Sequence, residues 1–252
     1  MARSEPALSG KVVLITGAAR RIGAAIARRL HADGARLMLH YRKAEREAQQ
    51  LQTELNGVRE HSVALIQADL LDAEGLQEIV RNTLSRFERL DALVNNASTF
   101  HATPLGSIRF EDWESLIGTN LKAPLFLAQA AAPHLKRTQG CIVNITDIHA
   151  ERPLKNYPVY SVAKTALAGL TRALARELAP EVRVNGVAPG AILWPDDDSW
   201  DELTRQRVVS HTLLKRVGEP ADIARTVFFL IAQAPYVTGQ IIAVDGGRSI
   251  NL

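Results

Sequence analysis

Seven short apolar runs separated by longer stretches of helical spacing restrict the fold of this chain more than any other feature. The runs fall at residues 12–15, 36–40, 62–67, 92–94, 141–145, 182–187 and 241–244. Helical patterns occupy 22–33, 44–55, 73–87, 111–136, 159–178 and 220–232. The runs are continuously apolar rather than alternating, so both faces of each strand are buried. Strands of that kind belong in a parallel sheet covered by helices on either side. Right-handed crossovers make such an α/β sheet doubly wound. Ligands then bind beyond the carboxyl ends of the strands. The residues following Ile15, His40, Val94, Ile145 and Val187 should therefore share one rim.

A chain of 252 residues, 46% hydrophobic, is ordinary for one α/β domain, and no repeat, linker or low-complexity stretch divides 1–252. The formal net charge of +3 suits anionic small molecules and is too weak to argue for nucleic acid. The basic residues are mixed with acids, as in Arg42-Lys43-Ala44-Glu45-Arg46-Glu47, which reads as a solvated face. The lone Cys141 lies in an apolar run and reads as a small buried side chain. Met1 to Pro6 contain no apolar signal core, and no stretch has membrane-spanning length without charge. The expected location is the cytoplasm, with no membrane partner. The histidines are dispersed and Asp196-Asp197-Asp198 lacks partner ligands, so no metal is expected. Gly-x-Ser-x-Gly is absent, which leaves acyl transfer unsupported.

The unusual residues gather on the expected rim. Thr16-Gly17-Ala18-Ala19-Arg20-Arg21-Ile22-Gly23 joins a strand to a helix start, where glycines permit a tight turn and free N–H groups face an anion. Arg20 and Arg21 would disfavour the positive helix end unless an anion compensates. After the second strand, His40-Tyr41-Arg42-Lys43 offers cations and no acid before Glu45. An acid there would hold a ribose hydroxyl, whereas Arg42, helped by His40 and Lys43, suits the 2′-phosphate of NADPH. Asp69 and Leu70 follow the third strand, where Asp69 is either a helix cap or a ligand contact. Asn95-Asn96-Ala97-Ser98 follows the fourth. Phe100 is either a stacking surface for a flat ligand or a packing residue. Asn120 is unfavourable in mid-helix. Tyr160 and Lys164 lie four apart on one helix face, and Asp147 precedes the tyrosine by thirteen positions.

From residue 11 to about 247 this set resembles the short-chain dehydrogenase/reductase family. Its T-G-x-x-x-G-x-G turn, N-N-A-G motif, Tyr-x-x-x-Lys pair, Pro189-Gly190 and Asp245-Gly246-Gly247 are all matched, with Arg21 and Ser98 each in place of a glycine. The resemblance implies a single-domain, Rossmann-type, doubly wound seven-stranded parallel sheet. It implies hydride transfer from NADPH, with Tyr160 donating a proton, Lys164 lowering the phenol pKa and holding the nicotinamide ribose, and Asn120 binding a water chain to that lysine. Gly17, Arg20, Arg21, Ile22, Gly23, His40, Tyr41, Arg42, Lys43, Asp69, Leu70, Asn96, Ala97, Ser98, Tyr160, Lys164, Pro189, Gly190 and Ile192 become the expected cofactor contacts, and Asn95 is expected to tie strands beside the adenosine. The family position thirteen before the tyrosine is usually serine. A carboxylate there is a poor partner for a carbonyl lone pair and a good one for an N–H or a phenol that passes on a proton. Arg21, Ser98, Phe100 and Asp147 together resemble the pteridine reductase branch, in which Phe100 and the nicotinamide sandwich a pterin. A substrate loop at about 190–212, with Trp194 covering the site, and a homotetramer packed through helices 111–136 and 159–178 follow from the same likeness. A 3-oxoacyl-thioester reductase of this family is the alternative, and a non-catalytic cofactor sensor the third reading.

Overall fold

The computed structural model describes residues 6–193 and 201–251. Seven strands form one wholly parallel sheet: β1 (Val12–Ile15), β2 (Arg36–Tyr41), β3 (Val63–Gln67), β4 (Ala92–Asn95), β5 (Cys141–Ile145), β6 (Arg183–Pro189) and β7 (Ile241–Val244). Their spatial order is β3-β2-β1-β4-β5-β6-β7. The winding reverses between β1 and β4, and a crevice opens beyond their carboxyl ends.

Eight α-helices cover the sheet among the described residues: α1 (Arg21–Ala32), α2 (Glu45–Val58), α3 (Ala73–Phe87), α4 (Phe110–Ile117), α5 (Ala123–Thr138), α6 (Pro158–Glu177), α7 (Glu202–Ser210) and α8 (Pro220–Ala232). Successive side chains of a strand point to opposite faces, and β1 shows the consequence. Val13 and Ile15 join a core with Ile26, Leu30, Leu51 and Val227, from α1, α2 and α8. Val12 and Leu14 join a second core with Leu76, Ile79, Leu127 and Leu135, from α3 and α5. Local chemistry sets the helix starts. The Asp72 side chain accepts the Glu74 N–H ahead of α3, Pro158 stands at the start of α6, and a Glu219–Asp222 capping box opens α8.

Two elements differ from expectation. The single helix over 111–136 is broken: α4 ends at Ile117, a π-type turn spans Gly118–Lys122, and α5 follows. The apolar period continues through the break, which is why spacing alone does not reveal it. The segment expected to be a loop at about 190–212 carries α7 over its second half. That helix is capped by the Asp201 side chain, which accepts the Thr204 N–H at 2.8 Å. It buries only Val208, so it shows no apolar stripe.

Polar cross-links hold the interior. Asn95 Nδ2 donates to Asn144 Oδ1 at 2.8 Å, and Asn144 Nδ2 donates to Thr171 Oγ1 at 2.9 Å, tying β4, β5 and α6. Among the described residues no helix is long and apolar enough to cross a membrane.

Candidate active site

The turn after β1 is held from two sides. Thr16 Oγ1 accepts the N–H groups of Asn96 and Ala97, each at 3.0 Å. Asn96 Nδ2 donates to the carbonyls of Thr16 and Gly17, at 2.8 and 2.9 Å. Gly17 adopts φ 61°, and a Cβ there would lie 2.8 Å from Ala97 Cα. A Cβ on Gly23 would sit 2.3 Å from the Gly17 carbonyl oxygen, so this helix start must pass close to the turn. Arg21 has φ 51°, the left-handed region that glycine favours. The family's middle glycine is thus explained by the backbone, and an arginine in its place costs on the order of 1–2 kcal/mol. No acid occupies the first turn of α1. The helix dipole, Arg20 and Arg21 together leave a positive site suited to an anion.

A cleft of about 460 Å³ runs from this turn along the β2 and β3 ends. Its walls bring together most of the expected cofactor contacts: Gly17 and Arg20 to Gly23, then His40 to Lys43, then Asp69 and Leu70, then Asn96 to Ser98. Ala19, Ala44, Thr99 and Thr119 complete it. Arg42 is part-exposed, with its guanidinium 3.9 Å from Asp69 Oδ2. Asp69 does not cap α3; its Oδ1 accepts the Leu71 N–H at 3.0 Å and Asp72 makes the cap.

One expectation on this side is corrected. His40 does not act as a surface cation. It is 2% exposed, its Nδ1 accepts the Gly17 N–H at 3.2 Å, and Nε2 faces the Ala68 carbonyl at 3.1 Å. Those partners place the proton on Nε2, and burial pushes its pKa down from the usual 6.5. Asn95 ties β4 to β5 and is buried there, while Asn96 lines the cleft.

Asp147 lies just past β5, with Oδ1 accepting the His149 N–H at 2.8 Å. Its Oδ2 accepts the Tyr160 hydroxyl at 2.6 Å. Lys164, fully buried on the same face of α6, donates to the Ile145 carbonyl at 3.0 Å. Its ammonium stands 5.7 Å from the Tyr160 ring centre. Burial holds Lys164 down at about 8. Tyr160 moves the other way, well above the usual phenol value. Burial is the largest cause, then the Asp147 charge and hydrogen bond, with a Ser98 hydrogen bond opposing. The expectation that Lys164 sets a low phenol pKa is therefore corrected: burial first, and then the Asp147 carboxylate in direct contact, hold the phenol above its usual value.

Ser98 bridges the two halves of the site. Its Oγ donates to Asn120 Oδ1 at 2.6 Å. Asn120 Nδ2 donates to the carbonyls of Thr99 and Leu116, both at 2.9 Å, and this fixes the π-type turn beneath Ser98. π-type turns recur at functional sites because they re-aim one side chain without ending the helix. Phe100 is half-exposed. Tyr157 lies parallel to its ring at 4.6 Å, and the Tyr160 ring stands edge-on at 4.8 Å. The sequence reading gave Tyr157 and Thr16 no role. The aromatic pair three apart at 157 and 160 was the signal for the first, and the hydroxyl preceding Gly17 for the second.

Pro189, Gly190 and Ile192 lie outside that cleft. The Gly190 N–H donates to the Val244 carbonyl at 3.0 Å, and Ile192 lines a separate hollow with Leu213, Leu214 and Gly246. Trp194 and Asp196-Asp197-Asp198 lie outside the described residues. Among the described residues no cluster of histidine, cysteine and carboxylate side chains is arranged to hold a metal.

Residues 17–249 match a family model described as enoyl-(acyl carrier protein) reductase. Pteridine reductase 1 of Leishmania tarentolae is 37% identical over 281 residues, spanning 95% of this chain and 96% of that protein. The 3-oxoacyl-[acyl-carrier-protein] reductase of Synechocystis is 35% identical over 245 residues, spanning 96% and 98%. Among solved structures, a double variant of a Serratia marcescens short-chain dehydrogenase/reductase matches with TM-score 0.90 and 34% identity over 96% of this chain and 99% of that one. A blue fluorescent protein from a metagenomic library, in complex with NADPH, matches with TM-score 0.90 and 38% identity over 96% and 98%.

Proposed function

We propose that this chain, which belongs to the short-chain dehydrogenase/reductase family, is a pteridine reductase that reduces a dihydropterin or dihydrofolate to the tetrahydro form. It binds NADPH, and the residues present fit that group. The glycine turn admits no Cβ at Gly17 or Gly23, cations line the anion site, and Arg42-Lys43 follow β2 with no acid before Glu45 to take a ribose hydroxyl in place of a 2′-phosphate. When bound, NADPH supplies the hydride.

The observation that carries the substrate reading is the 2.6 Å contact between the Tyr160 hydroxyl and Asp147. A carboxylate repels the lone pairs of a ketone oxygen. It accepts an N–H from a pterin edge and keeps the neighbouring phenol in its acid form. Tyr160 then delivers its proton to the ring nitrogen of the C=N bond while the hydride reaches the carbon. The phenolate left beside Asp147 is disfavoured, and the nearby Lys164 ammonium offsets part of that cost. Phe100 presents half-exposed aromatic surface for a flat ring. Ser98 and Arg21 contribute polar groups at its edge.

Reduction of a 3-oxoacyl thioester is the second reading, favoured by the near-equal identity to the Synechocystis enzyme. NADPH oxidation measured with dihydrobiopterin and with an acetoacetyl thioester separates the two. Turnover of the pterin is expected, and turnover of the thioester alone overturns the proposal. A homotetramer packed through α5 and α6 belongs to the same reading, supported by the exposed Leu125, Phe126 and Val162 on those helices.

A further inference from the structure

We propose that His40 is a positioning residue that locks the phosphate turn only while its ring is neutral, so that proton uptake there releases the turn and weakens NADPH binding. The proposal rests on the NADPH reading above and concerns a residue that has no direct charge role in it.

The geometry is specific. His40 holds two consecutive amides of the turn, the Gly17 N–H through ring Nδ1 at 3.2 Å and the Ala18 N–H through its own carbonyl at 2.9 Å. On the opposite edge, Nε2 is 3.1 Å from the Ala68 carbonyl that ends β3. One side chain thus joins the ends of β1, β2 and β3 under the cleft. Asn96 restrains the Thr16 and Gly17 carbonyls, so His40 and Asn96 clamp the same peptide units by opposite groups.

Protonation removes the Nδ1 lone pair, because an imidazolium is a donor at both nitrogens. The Gly17 N–H would then face another N–H in a buried place, which costs a lost hydrogen bond and an orphaned donor. Gly17 has no side chain to resist a change of its backbone angles, so the turn would then rest on the Asn96 bonds and on the Ala18 N–H bond to the His40 carbonyl. The charged groups around the ring are few. From the β3 end Asp69 favours the imidazolium, and from the β2 end Arg42 opposes it. Arg20 and Arg21 line the same cleft from α1, and Lys43 from the loop after β2. Burial favours the neutral ring, so the turn is locked at neutral pH and opens on the acid side of the usual imidazole value.

The experiment is the dissociation constant of NADPH, read by fluorescence between about pH 5 and pH 8, for the wild type, His40→Asn and His40→Gln. Asparagine keeps an acceptor near the Nδ1 position, and glutamine keeps only a donor near Nε2. Wild-type affinity is expected to fall by about tenfold per pH unit below the ring's pKa, because only the neutral fraction binds. His40→Asn should bind as the wild type does at neutral pH and lack that acid loss. His40→Gln should bind weakly throughout, with KM for NADPH raised and kcat held. The 2′-phosphate of the cofactor titrates near pH 6, and comparing variants at each pH cancels that contribution. A second readout needs no variant: NMR titration of the His40 ring should show a lower pKa in the NADPH complex than in the free protein, by reciprocity of linked binding. An equal acid dependence in wild type and His40→Asn, or a ring pKa that NADPH leaves unchanged or raises, overturns the proposal. A wild type that binds no NADPH at neutral pH overturns the cofactor reading instead.

Discussion

Tyr160 and Asp147 share a hydrogen bond of 2.6 Å, and the state of that one proton decides what the site can do. A phenol that must act as an acid works while it is protonated, so activity is lost as pH rises through its pKa. Burial raises that pKa most, and Asp147 raises it further by its charge and by its hydrogen bond. Replacing Asp147 with serine removes both effects and should move the alkaline limb of the kcat profile to lower pH. It should also lower pterin turnover, because the pterin loses its acceptor. Tyr160→Phe should lower kcat by roughly 10²–10⁴-fold, the usual worth of a positioned general acid. NADPH affinity should stay near the wild-type value, since the phosphate turn and the adenosine side are untouched. An alkaline limb that stays in place in Asp147→Ser would detach the carboxylate from the phenol. Kinetic profiles of the two variants on dihydrobiopterin give both answers.

At the scale of elements, α6 carries more apolar surface than its own core uses. Ser161, Ala163, Lys164, Leu167, Ala168, Thr171 and Ala175 are buried, whereas Val162 is half-exposed and Gly169 and Ala173 are exposed. A Cβ built on Gly169 meets nothing within 4 Å, so the protomer itself has room for any side chain there. If α6 packs against another copy, that space is taken, and Gly169→Arg should reduce the mass measured by light scattering. The helix should remain intact by circular dichroism, because arginine is the better helix former by several tenths of a kcal/mol. A mass for Gly169→Arg equal to that of the wild type would remove α6 from any interface between copies. The same scale shows what spacing could and could not reveal. The wide apolar belt of α6 is visible in the sequence, because burial follows composition there. The break at Gly118–Lys122 is not, since the apolar period runs on through it; only the helix-poor Gly118-Thr119-Asn120 hints at it. α7 escaped notice because a mostly polar helix has no period to read. At the site, motif positions placed the turn and the Tyr160–Lys164 pair, because strand ends fix where such residues fall. The roles of His40 and of Lys164 depended on which partner each side chain meets, and that is a property of packing between elements distant in the chain.

For the molecule as a whole, the sheet is clamped by polar groups far from the cleft, and these set its response to acid. His31, on α1 and 2% exposed, has Nε2 2.8 Å from the Ser62 hydroxyl at the edge of β3. Ser62 Oγ in turn donates to the Arg59 carbonyl, so the imidazole must supply the proton to Ser62. The Arg59 guanidinium donates to the His31 carbonyl at 3.1 Å and places a positive charge beside the ring. Burial, and then that cation, push His31 from 6.5 down to about 4. The sign follows directly. The unfolded chain takes up a proton near 6.5 while the folded chain refuses it until about 4. The stabilisation is therefore fully present above 6.5 and is lost as pH falls from there towards about 4. With 1.36 kcal/mol for each unit of displacement, the loss is on the order of 3 kcal/mol. Asp91 adds a second acid-labile clamp lower on the scale. It accepts the Val12 N–H at 2.9 Å and pairs with Arg89 and Lys11, partners that hold its carboxyl below the usual value despite the opposing effect of burial. Its contribution is present above 3.8 and is lost only as pH falls through that range, so the two clamps separate along the pH axis. His31→Gln keeps a donor for Ser62 and cannot titrate. Urea unfolding of this variant should lose the decline between 6.5 and about 4 while keeping the steeper one below it. A variant that reproduces the full wild-type decline would place the acid sensitivity elsewhere in the sheet.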